Sequence, residues 1–271
     1  MTTTASGLPV GDLPAIGPVT VDLPVPDSAL AVGAHPDDIE FGCGATLAKW
    51  AAAGCRIYHL VLTDGSKGSW DPGCDQAELM ARRRQECRSA AEVLDGRAGE
   101  SDLHDRVRFL DRVDGELVDG VEERRGVARV VRTLRPAVVL GHDPWRRYRL
   151  HPDHRAAGFL TLDALVAARD PHFFPELSLD PHRPRAVLLF EADQPDHLED
   201  AAGFTSTKVE ALLRHRSQWQ STMGIEAAPD QATAPAADRA RFEAKVARQL
   251  AAHGASAGLA AAEAFHLIDD V

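Results

Sequence analysis

Two short stretches hold most of the residues that could do chemistry. In the first, A-H-P-D-D at 34–38, an imidazole and two adjacent carboxylates follow directly on an apolar run: His35, Asp37 and Asp38. Carboxylates crowded into one turn repel each other unless a cation lies between them. The N-terminus of a following helix tolerates one negative charge. Two beside an imidazole call for more. A divalent metal would take His35 and one Asp as ligands, leaving the other to act as base on metal-bound water. A turn brings His35 and Asp38, three apart, to one side; Asp37 then points elsewhere, and Pro36 stiffens the bend. The plainer account makes Asp37 and Asp38 caps of the next helix, but a cap needs one such residue and no histidine.

The second stretch is D-P-W-R-R-Y-R-L-H-P-D-H at 143–154. His151 and His154 form an H-x-x-H at the start of an amphipathic segment and can share one face of its first turn. Asp153 either orients an imidazole as a hydrogen-bond acceptor or is only a first-turn acid. Taken together, the two stretches supply three protein ligands and an open position for water, the donor count of a catalytic zinc site. The surplus Asp and His are what a hydrolase needs as base and acid.

These groups require elements to position them. Short apolar runs at 29–34, 56–63, 106–110, 137–142 and 185–192 read as strands. Helical patterns at 43–53, 75–95, 119–134 and 153–168 lie between them, with further helices at 205–217 and over R-A-R-F-E-A-K-V-A-R-Q-L-A-A-H. Such alternation predicts an α/β, Rossmann-like fold: one domain with a mostly parallel sheet and helices on both faces. Functional groups in such sheets gather at the carboxyl ends of the strands, which is where both stretches fall. Residues 1–27 are rich in Pro, Gly and Thr and read as an irregular N-terminal arm; 28–271 form the domain.

Composition narrows the function classes. A formal net charge of −11 argues against a broad nucleic-acid footprint or an anionic membrane surface. Only Arg146-Arg147-Tyr148-Arg149 departs from that balance, as a contact for a small anionic or sugar-like substrate or as a solvated loop. The four cysteines are dispersed without a C-x-x-C pair, so neither a zinc ribbon nor a disulfide framework is indicated. No signal peptide and no membrane span are legible, and a cytoplasmic location is expected.

The residues resemble the LmbE-like/PIG-L family of metal-dependent de-N-acetylases. The A-H-P-D-D and H-P-D-H motifs match at 34–38 and 151–154, and similarity continues through L-T-D-G-S-K-G (62–68), R-R-Q-E (83–86), F-L-D-R-V-D-G-E-L (109–117) and K-V-E-A-L-L-R-H-R-S-Q-W (208–219). The resemblance implies that His35, Asp38 and His154 bind the metal, Zn2+, with Fe2+ fitting the same ligands. It implies Asp37 as general base and His151 as oxyanion stabiliser and general acid. Arg83 and Asp114 fall where family members contact substrate. Some members carry a catalytic Tyr two residues before the first histidine of the second motif; here Arg149 stands there and Tyr148 is one residue off, so either could take that role.

The expected activity is hydrolysis of an N-acetyl group on an amino sugar or its glycoside. Alternatives are an amidase acting on a non-sugar conjugate and a catalytically silent metal- or sugar-binding protein. The expected partner is a small N-acetylated sugar, and the sequence leaves homo-oligomer formation open. His142 reads as a capping or core histidine, with a role as an outer partner of the site as the alternative; His215 reads as structural and Cys74 as inert. Trp70 either stacks on a sugar ring or anchors its loop.

Overall fold

A computed structural model describes residues 19–96, 103–226 and 233–271. In chain order its elements are β1 (Thr20–Val21), β2 (Ser28–Gly33), α1 (Asp38–Ala52), β3 (Arg56–Thr63), α2 (Gln76–Asp95), α3 (Leu103–Arg106), β4 (Val107–Arg112), α4 (Val121–Leu134), β5 (Val138–His142), α5 (Pro152–Arg169), β6 (Ala186–Phe190), β7 (His197–Asp200), α6 (Thr205–Leu213), α7 (Ala236–Gly254) and β8 (Ala262–Ile268). The strands form one sheet in the order β1-β7-β8-β6-β5-β2-β3-β4. Every pairing is parallel except those of β8 with β6 and β7. The α/β, mostly parallel fold is therefore as expected.

Two apolar layers sandwich the sheet. Side chains of α1 and α2, among them Leu47, Trp50, Ala91 and Leu94, pack on alternate strand residues such as Ala29, Ala31 and Leu188. On the other face Val127, Val131, Leu160 and Ala164 of α4 and α5 meet Leu30, Val32, Val139 and Leu189. Because β-strand side chains alternate in direction, the central strands must be apolar at successive positions to feed both layers. That explains the unbroken runs in the sequence.

The chain crosses from β2 out to β3 and β4, then returns to place β5 on the other side of β2. β2 and β5 are thus hydrogen-bonded neighbours whose following chains diverge. The crevice at their carboxyl ends is a topological switch point. Gly158 lets α5 pack there: a Cβ on it would lie 2.7 Å from the His142 carbonyl oxygen and 2.8 Å from the Pro144 nitrogen. Pro152 begins α5, where its missing N–H costs nothing.

Several elements differ from the sequence reading. α1 starts at Asp38 rather than 43 and is broken at Cys43 (φ −146°, ψ 19°). The second half begins where the apolar periodicity starts, and the Glu263 carboxylate accepts from its Ala45 and Thr46 N–H groups at 3.0 and 2.7 Å. The helix expected over 205–217 ends at Leu213, because the Ser217 N–H is diverted to Glu86 (2.9 Å). Within the stretch read as an irregular arm, Thr20 and Val21 pair with β7, while 1–18 lie outside the described residues. All four cysteines are free. Among the described residues no helix is long and apolar enough to cross a membrane.

Candidate metal centre

The switch-point crevice brings the two motifs together. His35 Nδ1 lies 3.2 Å from His154 Nε2 and 3.3 Å from Asp38, and His154 Nε2 is 3.2 Å from the same carboxylate. Three donors on a tetrahedral zinc, with bonds of about 2.0–2.1 Å, would stand about 3.3 Å apart. The two imidazole nitrogens stand at that spacing from each other, and each lies at that spacing from one oxygen of the Asp38 carboxylate, Oδ2 for His35 and Oδ1 for His154. Chemically, two imidazoles and one carboxylate form a donor set for zinc or ferrous iron.

Each donor is held from behind. His35 Nε2 faces Asp153 at 3.1 Å and Asp114 at 3.2 Å. Asp153 is fully buried and also accepts from Gly115 N (2.6 Å) and Leu117 N (3.2 Å). Asp153 thus orients an imidazole, and of its two sequence readings this is the one realised. Burial opposes charge on His35, but hydrogen bonds to Asp114, Asp153 and Asp38 outweigh it and hold the imidazole well above its ordinary pKa. Asp38 accepts from the His35 backbone N–H at 2.7 Å. Burial would raise its carboxyl; the neighbouring His154 and His142 pull it well below the ordinary range.

Asp37 behaves differently from its neighbour. It precedes α1, yet its side chain makes no capping hydrogen bond, and its backbone sits at φ 110°. A non-glycine residue rarely adopts that conformation without support from its surroundings. The residue is 5% exposed, and among the described residues its Oδ2 has no hydrogen-bond partner. Burial pushes the carboxyl up to about 6, against the lowering influence of Arg83. A cap would show the opposite on each count.

His151 is exposed at the mouth of the crevice, with its ring edge-on to His35 (centroids 4.5 Å apart) and stacked near His154 (5.0 Å). Burial, then His35 and His154, lower its pKa. It can hold or release a proton next to the donor triangle.

His142 realises the alternative reading. It is buried, edge-on to Phe190, and also places Nε2 3.2 Å from Asp38 and stacks on His154 at 4.5 Å. Behind it stand Glu191, 3.6 Å from its Nδ1, and Arg149, whose Nη1 is 3.1 Å from the same nitrogen and 2.9 Å from His154 Nδ1. Arg149 Nη2 is also paired with Glu191. His142 and Arg149 draw the Glu191 carboxyl down to about 2 despite burial. Among the described residues, three groups of side chains could hold an ion: His35, His151 and His154; Asp38, His142 and His154; and His35, Asp114 and Asp153. Each shares at least one residue with the His35, Asp38 and His154 triangle.

Of the two candidates for the missing tyrosine's place, Arg149 reaches the site; Tyr148 is 94% exposed with φ 59°. Arg83 lies under the site, 3% exposed, and donates to the carbonyls of Pro36 (2.7 Å) and Gly65 (2.9 Å). Asp114 is buried against His35 and accepts from Lys67 N at 3.1 Å. Both side chains are buried beside the crevice. Trp70 is exposed on its loop, and His215 is buried in an ion pair with Glu40 (3.2 Å), as a structural role requires.

Similarities to known proteins agree with this geometry. The PIG-L family model, GlcNAc-PI de-N-acetylase, matches residues 30–165. The chain is 37% identical over 193 residues to diacetylchitobiose deacetylase of Thermococcus kodakarensis, covering 70% of this chain and 69% of that protein. It is 34% identical to 1D-myo-inositol 2-acetamido-2-deoxy-alpha-D-glucopyranoside deacetylase of Kineococcus radiotolerans, over 53% of this chain and 46% of the relative. Among solved structures, N,N'-diacetylchitobiose deacetylase from Pyrococcus horikoshii superposes with a TM-score of 0.77 at 25% identity, over 90% of this chain and 84% of that one. With the family model spanning half the chain and A-H-P-D-D and H-P-D-H meeting at one crevice, the protein belongs to the PIG-L (LmbE-like) family.

Proposed function

We propose that this protein is a metal-dependent hydrolase that removes the acetyl group from an N-acetylglucosamine unit in a small glycoside. The observation that carries the reading is the strained, buried carboxylate of Asp37, whose Oδ2 has no hydrogen-bond partner among the described residues, beside the His35, Asp38 and His154 donors. A protein that only bound a metal or a sugar would have no use for it.

His35, Asp38 and His154 would hold the ion. Zinc, or ferrous iron on the same donors, would supply a Lewis acid and lower the pKa of its water from about 16 towards about 7. Asp37, with a carboxyl near neutrality and a free oxygen, takes a proton from the nucleophile. His151 steadies negative charge as it develops on the acetyl oxygen and gives a proton to the nitrogen, so that an amine rather than an amide anion departs. His142 and Arg149 keep the donors aligned from the far side.

The substrate class follows from the relatives. One of the two similar deacetylases is named for diacetylchitobiose and the other for a 2-acetamido-2-deoxy-glucopyranoside of inositol. The longer match favours the chitobiose type.

The test is acetate and amine release from N,N'-diacetylchitobiose, N-acetylglucosamine and the inositol glycoside. Protein stripped by a chelator is assayed before and after adding zinc or ferrous iron. Release that depends on metal and fails in Asp37→Asn is expected; metal-independent release, or none from any sugar, would contradict the proposal.

A further inference from the structure

We infer that Lys208 and Glu263 are positioning residues: lodged as an ion pair in the break of α1, they set the direction of its first turn, and with it Asp37 and Asp38. This rests on the reading of Asp38 as ligand and Asp37 as base.

A broken helix leaves carbonyls at the end of its first piece and N–H groups at the start of its second without ladder partners. Here both sets are met from other elements. Lys208, on α6, donates from Nζ to Phe41 O at 2.6 Å, where the first turn ends. Glu263, on β8, accepts from the Ala45 and Thr46 N–H groups and pairs with the same ammonium at 2.5 Å. A cation at the carboxyl end of one helical piece and an anion at the amino end of the next each suit the local dipole. Lys208 and Glu263 are 4% and 2% exposed, so solvent screens the pair little.

The break has a cause in packing. A Cβ on Gly42 would lie 2.5 Å from the Phe190 ring, so the first turn presses on the end of β6. β6 pairs with β5, whose last residue is His142. On the same turn, Glu40 is held by His215, just beyond α6, at 3.2 Å. Phe41 N donates to Asp37 O at 3.1 Å, which passes any shift of Phe41 to the backbone of Asp37. The stretch K-V-E-A-L-L-R-H, at 208–215, thereby acts on the site through α1. A cavity of about 140 Å3 adjoins the ion pair, with Arg146 and His253 also in its wall.

The test compares Lys208→Met, Lys208→Arg and Lys49→Met, with Asp37→Asn as reference. Lys49 lies in the second half of α1 and pairs with Asp22 and Glu199, each at 2.7 Å, so its loss reports a general weakening of the helix. Measurements are thermal unfolding, zinc affinity by calorimetry, and kcat and KM on N,N'-diacetylchitobiose. Lys208→Met should lose about 100-fold in kcat with KM kept, as a displaced catalytic group does. Its zinc affinity should fall about 10- to 100-fold. Lys208→Arg should recover most of both, since a guanidinium has donors for the carbonyl and the carboxylate and the cavity has room for it. Lys49→Met should unfold at a lower temperature and keep kcat and zinc affinity.

Amide exchange in the metal-free protein needs neither substrate nor zinc. It should quicken over 38–42 in Lys208→Met and stay unchanged over 47–52. Lower thermal stability with unchanged zinc affinity and exchange in Lys208→Met would make the pair a structural one and overturn the inference. So would equal losses of kcat and zinc affinity in Lys49→Met, or a raised KM with kcat kept in Lys208→Met. Lys208→Met leaves the Glu263 charge buried and unpaired; should it fail to fold, Lys208→Met/Glu263→Gln, which removes both charges, decides by the same measurements. Full turnover in Asp37→Asn would defeat the base assignment instead, while zinc affinity and exchange still decide the role of the pair.

Discussion

Asp37 is charged at neutral pH only against resistance from its surroundings. Burial raises its carboxyl from the ordinary 3.8 to about 6. The contribution to stability is therefore fully present below pH 3.8 and is lost as pH rises through about 6. Above that, the desolvated charge costs on the order of 3 kcal/mol. Asp37→Asn should accordingly make the metal-free protein more stable at pH 8 by up to that amount, with the gain vanishing near pH 4. Urea titrations at the two pH values check this, and equal stability of the two proteins at both would contradict it. Turnover should meanwhile drop about 100- to 10,000-fold, a stability–activity trade-off at one side chain. The motif residues were legible because each cluster is contiguous, so spacing alone brought them together. Which part His142 and Glu191 play was not. Their contacts with Asp38 and Arg149 arise from the ends of β5 and β6, and His142 is 104 positions from Asp38. Partners that orient a metal ligand typically contribute 10- to 100-fold in affinity. His142→Ala should weaken zinc binding by that factor, measured by competition with a chelator; unchanged affinity would leave His142 without this role.

At the level of elements, the close approach of α5 to β5 places His154. Gly158→Ala puts a Cβ 2.7 Å from the His142 carbonyl oxygen. Because that atom is backbone, the helix must shift. An overpacked site of this kind costs about 1–3 kcal/mol. The substitution should lower thermal stability and weaken zinc binding together, whereas a change in stability alone would show that His154 does not depend on this packing. The alternation of apolar runs and amphipathic segments made β2 to β6 and most helices legible, since each strand feeds two apolar layers. β7 escaped notice because its four residues include His197 and Glu199, buried polar groups that pair with each other at 3.1 Å. The start of α1 was hidden too. Its first turn is built from the metal-site motif, and the Glu263 carboxylate that caps its second half comes from β8, 218 positions beyond Ala45.

Across the whole molecule, the parallel sheet places two chain segments at one crevice although His35 and His154 are 119 positions apart. An ion gripped by both segments binds the folded state and not the unfolded chain. Zinc at 100 times its dissociation constant should therefore stabilise the protein by about 2.7 kcal/mol. The gain should disappear in His154→Ala, as read by thermal unfolding with and without metal. The most direct measurement is a crystal of the zinc-loaded protein with anomalous scattering collected at the zinc edge. One peak is expected within about 2.1 Å of His35 Nδ1, His154 Nε2 and an Asp38 oxygen, with Asp37 left uncoordinated. Zinc bound elsewhere, or a peak that His35 and His154 do not share, would contradict the metal centre on which the proposed reaction depends.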